Sequence, residues 1–204
     1  INNEVSSFFF FFDIKQIDYL ILTHNHSDHN GEANYIINKF KVNNIVVSSY
    51  DNSEFATYSN TLKIKKDMVL KTKYFEFHCL SPNDRNGNEN NNSIVLYTKI
   101  SGISFLFTGD IEETMENEIP SIKVDILKIS HHGSNTSSSF AFLKKVNPKY
   151  AIIMSGRSNI YEFPNNETLE KLKQLNIITY CTKDNYTIEL KIKDNKCIFN
   201  PLKE

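Results

Sequence analysis

The chain has 204 residues, of which 40% are apolar and 23% are charged, and its formal net charge at pH 7 is −1. This composition is that of a soluble globular protein and excludes a global electrostatic attraction for nucleic acid, although a local basic patch stays open. The length predicts one domain over residues 1–204, with an irregular or truncated N-terminus at residues 1–16.

The N-terminal part of the chain predicts no membrane anchor. Its longest apolar run, Phe8 to Phe12, is far shorter than the about 20 residues that cross a bilayer, and no secretory signal is visible. The three cysteines are odd in number and widely separated, which favours buried thiols in a reducing compartment over disulfides or a CxxC metal site. We therefore expect a soluble chain with no transmembrane segment, and no stable protein partner is inferred.

The first predicted strand leads directly into a cluster of potential metal ligands. An apolar run ends at Leu22, and His24, His26, Asp28 and His29 follow it. Side chains two residues apart on extended backbone point the same way, so the first two imidazoles can face one site while the remaining pair lies on the next turn. One loop thus offers two pairs of ligands, which is enough to begin a two-metal centre.

Apolar spacing predicts the elements that follow this loop. We expect a helix over 32–40, a short buried strand at 45–47, a second helix over 53–60, one or two strands within 68–80, and a polar turn-rich loop at 81–92.

A predicted hairpin then delivers a second carboxylate. Residues 93–99 and 103–107 alternate as two strands around Ser101-Gly102, and the second strand ends at Thr108-Gly109-Asp110. The remaining predicted elements are a short acidic helix at 112–118, a buried strand at 124–129, a helix at 137–146, a strand at 150–154, a helix at 166–175, a strand at 177–181 and a hairpin at 187–192 and 196–199. Such alternation, with polar residues at strand ends, predicts a layered α/β sandwich.

The stretch from His24 to His29 resembles the signature motif of the metallo-β-lactamase superfamily. Three later segments, 106–112, 125–134 and 147–153, are similar to the hydrolase domain of the ComEC competence family. The resemblance runs from about Ile17 to the C-terminus and implies an αββα sandwich. Because only 23 residues precede His24, we expect its first sheet to be shortened.

Imidazole and carboxylate donors suit two divalent metal ions, with Zn²⁺ as the first choice and Mn²⁺ as the alternative. Asp110 is expected to bridge the two ions, because a carboxylate has two oxygens. The full set of expected metal ligands is His24, His26, Asp28, His29, Asp110 and His131.

We expect different roles for the neighbouring histidines His131 and His132. His131 directly follows the predicted strand and matches the ligand position of the resembled superfamily, whereas His132 is expected to contact substrate or to donate a proton to the leaving group. The sequence alone leaves the reverse assignment open. Asp28 and His132 are the expected catalytic residues.

Three further residues are expected to contact substrate. The ComEC-like pattern has an asparagine-containing segment before a Ser-apolar strand, which indicates Asn92, with Asn90 as the alternative. Lys128 and the loop at 133–137, which contains Ser134, suit a phosphate contact. A solvated Asn-rich loop and simple helix capping are the alternative interpretations. The resembled family usually has a histidine where this chain has Phe163, so whatever that histidine contributes is absent here.

The leading hypothesis is a metal-dependent hydrolase in which a metal-bound hydroxide attacks a phosphodiester. The resemblance to ComEC implies DNA as substrate and partner, and nuclease work during DNA uptake in competence. One alternative is hydrolysis of a small ester, lactone or phosphoester at the same centre, and another is a truncated, non-catalytic domain that binds metal or DNA. The compartment is undetermined: the cysteines favour the cytoplasm and the analogy with ComEC favours the cell surface.

Overall fold

A computed structural model describes residue 9 and residues 13–202 of the chain. The expected irregular N-terminus therefore falls largely outside the described residues. The strands are β1 (Gln16–Ile21), β2 (Lys41–Ser48), β3 (Thr61–Ile64), β4 (Val69–Lys71), β5 (Glu76–Ser81), β6 (Val95–Ile100), β7 (Ile103–Phe107), β8 (Ile126–Lys128), β9 (Tyr150–Ile153), β10 (Ile178–Cys181), β11 (Thr187–Lys193) and β12 (Lys196–Leu202). The α-helices are α1 (Ser27–Asn30), α2 (Ala33–Lys39), α3 (Glu113–Glu116), α4 (Phe140–Val146), α5 (Asn166–Gln174) and α6 (Thr182–Asn185).

The first sheet consists of three parallel strands in the order β1-β2-β3 within the described residues. Its central strand is apolar on both faces, as expected for a strand that is covered on each side. Ile45 and Val47 pack with Ala33 of α2 on the outer face, whereas Val46 points to the inner face. Because side chains alternate along β2, one face of the strand contacts the helix layer and the other face contacts the second sheet.

Over the part of the chain that the structure describes, the second sheet has seven strands in the order β10-β9-β8-β7-β6-β5-β4. Strands β4 to β7 pair antiparallel, and β7 to β10 pair parallel. Leu106 and Leu127 on one face of this sheet pack against Phe142 and Leu143 of α4 and Leu172 of α5. These side chains are almost completely buried and form the largest part of the core.

The two sheets pack face to face, and the order of layers is helix, sheet, sheet, helix. Val46 and Ile64 of the first sheet contact Leu96 of the second within one apolar cluster. The predicted αββα sandwich is therefore confirmed. The hairpin β11–β12 covers a separate part of the second sheet, where Leu190 and Phe199 pack near Phe105.

The prediction of a helix over 53–60 is wrong. The segment forms only a 3₁₀ turn, Glu54–Thr57, and the chain is extended again at Tyr58. The Thr61 hydroxyl donates to the carbonyl of Phe55 at 2.5 Å, which ties the start of β3 to this turn. Because β3, which the sequence patterns did not reveal, begins so soon afterwards, the segment has no room for further helical turns.

The remaining predicted elements are present within a few residues of their expected bounds. In the described part of the chain, no helix is long and apolar enough to cross a bilayer. Since β7 and β8 are parallel neighbours, the turns that follow both strands lie at the same edge of the sheet. That edge carries the candidate site.

Candidate metal centre

The loop after β1 connects the two sheets and carries the first group of histidines. The carbonyl of Thr23 accepts a hydrogen bond from the amide of Ile94, which directly precedes β6 of the second sheet, with an N···O distance of 2.9 Å. His24 is buried, and its Nε2 lies 3.0 Å from Nδ1 of His26. The Thr23 hydroxyl lies 3.2 Å from Nδ1 of His24 and 3.1 Å from Nδ1 of His29. This threonine therefore fixes the ring orientation of two histidines, a role that sequence reasoning missed although the residue lies within the motif.

The turn after β7 places Asp110 in the interior, where only 2% of the residue is exposed. Gly109 adopts a positive φ of 54°, and a Cβ at this position would lie 2.7 Å from the Cβ of Ser93. The Asp110 amide donates to the Ser93 hydroxyl at 3.1 Å. A glycine is thus required for the close approach that directs the carboxylate of Asp110 towards the histidine loop.

The turn after β8 has an unusual backbone. His131, His132 and Gly133 all have positive φ values, of 47°, 53° and 87°. For a residue with a side chain, this left-handed conformation costs roughly 1–2 kcal/mol. Nδ1 of His132 lies 2.7 Å from the carbonyl oxygen of Met154, so this ring nitrogen donates, and Nε2 faces the carboxylates of Asp28 and Asp110 at 3.3 Å. The strained turn is what brings the second of the two histidines into the centre.

Four side chains converge on one point. Asp28, His29, Asp110 and His132 each offer one nitrogen or oxygen atom, and all of these atoms lie within 4.8 Å of one another. Nε2 of His29 lies 3.0 Å from Oδ2 of Asp110 and 3.1 Å from Nε2 of His132. Nε2 of His132 lies 3.3 Å from Oδ2 of Asp28. Two imidazoles and two carboxylates at these distances form a donor set suited to a divalent cation.

The electrostatic environment favours the metal-binding forms of His24 and Asp110, whereas the hydrogen bond to Asp110 outweighs burial and raises the pKa of His132. Burial, together with neighbouring His29, lowers the pKa of His24 to about 3, so that its imidazole is neutral at pH 7. Burial alone would raise the pKa of Asp110, but hydrogen bonds from His132 and His29 and the charge of Lys128 hold that pKa well below its usual range. The Asp110 carboxylate is therefore ionised at neutral pH.

Lys128 forms a buried ion pair with the same carboxylate. Its Nζ lies 3.2 Å from Oδ1 of Asp110 and donates to the carbonyl of Gly109 at 2.7 Å. The side chain of Lys128 is 13% exposed, and burial lowers its pKa while Asp110 opposes that shift. The lysine expected to contact phosphate is thus engaged by Asp110 and faces the centre as a counter-ion.

His131 lies beside the four-residue cluster and does not contribute to it. Its Nδ1 is 3.7 Å from Oε1 of Glu112 and 3.2 Å from the hydroxyl of Thr136. The ring centroids of His131 and His132 are 6.4 Å apart. The structure therefore gives the expected position of His131 at the centre to His132. Sequence reasoning also missed Glu112, although this carboxylate follows Asp110 by two residues within one of the matched segments.

Asn92 and Ser134, two of the expected substrate contacts, are both buried. Oδ1 of Asn92 accepts from the Asn86 amide at 2.7 Å, and its Nδ2 donates to the Asn86 carbonyl at 3.0 Å. The Ser134 hydroxyl accepts from the Thr136 amide at 3.2 Å. Both side chains hold their own loops together, and the geometry offers no support for their contact with substrate.

The alternative asparagine, Asn90, contacts Glu112, the carboxylate beside His131. Its Nδ2 donates to Oε1 of Glu112 at 3.3 Å, and its buried Oδ1 has no hydrogen-bond partner among the described residues. The same Asn-rich loop supports the histidine loop, because Oε1 of Glu89 accepts from the Asn25 amide at 3.2 Å. The loop at 81–92 thus braces the centre from one side.

Comparisons with known proteins agree with this geometry. A family model described as the metallo-beta-lactamase superfamily matches residues 7–157. The chain is 36% identical over 202 residues to ComE operon protein 3 of Bacillus subtilis and 32% identical over 157 residues to competence protein ComA of Neisseria gonorrhoeae, covering 92% and 74% of this chain. It spans 26% and 22% of the length of these relatives.

Solved structures share the fold at low sequence identity. The metallo-beta-lactamase fold protein YhfI from Bacillus subtilis is 12% identical, has a TM-score of 0.57, and is matched over 87% of this chain and 79% of that one. The metallo hydrolase Igni18 from Ignicoccus hospitalis is also 12% identical, with a TM-score of 0.50 over 91% of this chain and 80% of that one. These similarities concern the fold alone.

Proposed function

This chain belongs to the metallo-beta-lactamase superfamily, and we propose on that basis that it is a metal-dependent hydrolase that cleaves phosphodiester bonds of DNA. The observation that carries the hydrolase proposal is the convergence of Asp28, His29, Asp110 and His132 within 4.8 Å. The DNA part rests on the identity of more than 30% to ComE operon protein 3 and to competence protein ComA and on the ComEC-like segments in the sequence.

The donor set fits two divalent cations. Asp28, His29, Asp110 and His132 would hold one ion, and His24, His26 and the shared carboxylate of Asp110 would contribute to the second. Zn²⁺ suits this mixture of imidazole and carboxylate, and Mn²⁺ is the alternative. When bound, such ions lower the pKa of water and stabilise the negative charge that develops on a phosphoryl oxygen.

The residues of the chain prepare the centre for this chemistry. Lys128 and the two imidazoles keep Asp110 ionised, and the Met154 carbonyl holds His132 in one orientation. Asp28, whose side chain is 59% exposed, lies at the open side of the cluster, where water or substrate can reach it. Precise positioning of these groups before substrate arrives reduces the reorganisation that the reaction requires.

We propose that the two adjacent histidines exchange the roles expected from the sequence. His132 lies among the carboxylates and would be a ligand. His131, half-buried against Glu112 and Thr136, lies beside the centre at a distance suited to contact with substrate or with the leaving group.

Elemental analysis of the purified chain and of three histidine variants tests this assignment. We expect His132→Ala to lose metal, because one of four converging ligands is removed, and His131→Ala to keep its metal while cleaving DNA more slowly. His78→Ala is the matched control, because His78 lies within β5 and is half-exposed beside Glu76. Loss of metal from His131→Ala with retention in His132→Ala would reverse the assignment.

Cleavage of single- and double-stranded DNA in added Mn²⁺ or Zn²⁺ tests the activity. Asp110→Asn is expected to abolish cleavage, and full activity in that variant would refute the two-metal centre. Metal binding without DNA cleavage, but with hydrolysis of a small phosphodiester, ester or lactone, would replace the DNA proposal with the small-substrate hydrolase. Metal binding without turnover of any of these substrates would support the non-catalytic domain.

A further inference from the structure

Three aromatic rings lead from the candidate metal centre to the protein surface. The ring centroids of His132 and Phe163 are 6.4 Å apart, with an interplanar angle of 17°. Those of Phe163 and Tyr161 are 5.5 Å apart, with an interplanar angle of 20°. The three rings, which we call the ring stack, are thus nearly parallel. Its inner end is a proposed metal ligand, and its outer end is Tyr161, which is 67% exposed.

The ring stack is held rigid by hydrogen bonds within its own loop. The Phe163 amide donates to Oδ1 of Asn159 at 2.7 Å, and Nδ2 of Asn159 donates to the carbonyls of Phe163 at 2.9 Å and Gly156 at 2.6 Å. One asparagine side chain therefore joins the beginning and the end of the loop. The aromatic surface is preorganised, which lowers the entropic cost of binding a ligand to it.

The loop is also packed directly against the histidine turn. A Cβ at Gly133 would lie 2.6 Å from the Cβ of Pro164, so the two segments are in the closest contact that a glycine permits. The Asn165 amide donates to the Gly133 carbonyl at 3.0 Å. The position of the ring stack is consequently fixed relative to the metal centre, and a ligand held on it is held at a defined distance from the reacting atoms.

The outer end of the ring stack is an exposed apolar surface. Ile160, next to Tyr161, is 86% exposed. In the same loop, the Arg157 guanidinium lies 3.7 Å from the centroid of the Tyr186 ring, so the loop also carries a cation. Aromatic faces with a nearby cation are the elements from which single-strand nucleic-acid sites are built, because every base presents a π face and every nucleotide a phosphate.

We propose that the ring stack binds an unpaired nucleobase of single-stranded DNA within a few nucleotides of the phosphodiester that is to be cleaved. This inference rests on the proposed function, because it places the reacting phosphate at the metal centre. Flat, parallel rings favour a flat ligand, whereas an acyl or alkyl group gains nothing from their alignment. Bases in a duplex are already paired and stacked, so the ring stack selects single strands.

Binding of a fluorescein-labelled oligothymidylate of about 15 nucleotides, measured by fluorescence anisotropy in EDTA, tests the proposal without any need for turnover. We expect Tyr161→Ala to raise the Kd about 5- to 150-fold, the range for loss of one base–aromatic stack, and Tyr161→Phe to bind as the unaltered chain does. Tyr74→Ala is the matched control, because Tyr74 is 81% exposed at the turn between β4 and β5. Equal Kd values for Tyr161→Ala and the unaltered chain would overturn the proposal, as would absence of any binding.

An oligonucleotide whose bases are replaced by abasic sites shows whether the base itself is recognised. The unaltered chain should bind it as weakly as Tyr161→Ala binds the normal strand, and Tyr161→Ala should show no further loss. Phe163→Leu, which keeps apolar volume without a π face, should weaken binding of the normal strand. A Tyr161-dependent affinity without cleavage would refute the proposed hydrolase and keep the ring stack as a binding site. Cleavage with an affinity independent of Tyr161 would support the proposed hydrolase and refute the ring stack as a binding site.

Discussion

Replacing Lys128 with methionine removes one charge from the candidate metal centre while preserving the length of the side chain. In the structure, Nζ of Lys128 lies 3.2 Å from Oδ1 of Asp110, and the side chains are 13% and 2% exposed. In the metal-free protein, the variant leaves Asp110 ionised and buried with only its two imidazole contacts. We therefore expect Lys128→Met to destabilise the metal-free protein.

The expected loss follows from the burial of the pair. Removing one partner of a buried ion pair costs about 3–5 kcal/mol, and the contacts of Asp110 with His29 and His132 place this case near the lower end. For a domain of this size, 1 kcal/mol corresponds to about 2–4 °C, so the Tm of the metal-free protein should fall by about 6–12 °C. A bound cation would supply the missing positive charge, and in the metal-loaded protein the fall should be less than half as large.

Thermal unfolding in EDTA and in saturating Mn²⁺ or Zn²⁺ measures both values. Lys145→Met is the matched control, because Nζ of Lys145 donates to the carbonyls of Glu116 and Ile119 at 2.7 Å. That variant should lose the same stability in both conditions. An equal loss for Lys128→Met with and without metal, or no loss in EDTA, would refute the description of Lys128 as the counter-ion of the centre.

Two further predictions concern buried groups outside the four-residue cluster. Asn92→Ala removes the side chain that closes the loop on Asn86 and should lower the free energy of unfolding by about 1–3 kcal/mol without raising the KM for DNA. Urea unfolding and steady-state kinetics measure these two effects. An unchanged stability with a raised KM would instead support a contact with substrate. Burial raises the pKa of Cys79 to about 12, so the native protein should resist iodoacetamide at this position at pH 8, whereas the urea-unfolded chain should be labelled. Peptide mass spectrometry follows the labelling. Equally fast labelling of both forms would contradict the packing of β5.

The strand ends that carry the site were predictable from the sequence because their signals are local. Apolar runs before His24 and before Asp110 indicated buried strands, and polar residues that follow such strands lie at a sheet edge. The helix α2 had the 3.6-residue spacing of its apolar side chains. What the sequence could not supply was β3, whose four residues include only two apolar side chains and follow a turn that resembles the start of a helix.

The choice between His131 and His132 depended on backbone geometry that no pattern reveals. Adjacent residues normally point in different directions, and three consecutive positive φ values, ending at Gly133, decide which imidazole faces Asp110. The Asn-rich segment presented a similar difficulty. Its 3₁₀ turn, Glu89–Asn92, buries three consecutive asparagines, so that their roles are separated only by their individual hydrogen bonds.

The candidate centre draws its donors from both halves of the sandwich. His24 to His29 follow the last residues of β1 in the first sheet, whereas Asp110 and His132 follow β7 and β8 in the second. The hydrogen bond between Thr23 and Ile94 is a direct backbone link between these halves at the same edge. A cation held by both groups would act as a cross-link between the sheets, and sliding of one sheet over the other would have to break it. If a metal is bound there, its loading would therefore strengthen the packing of the two sheets against each other.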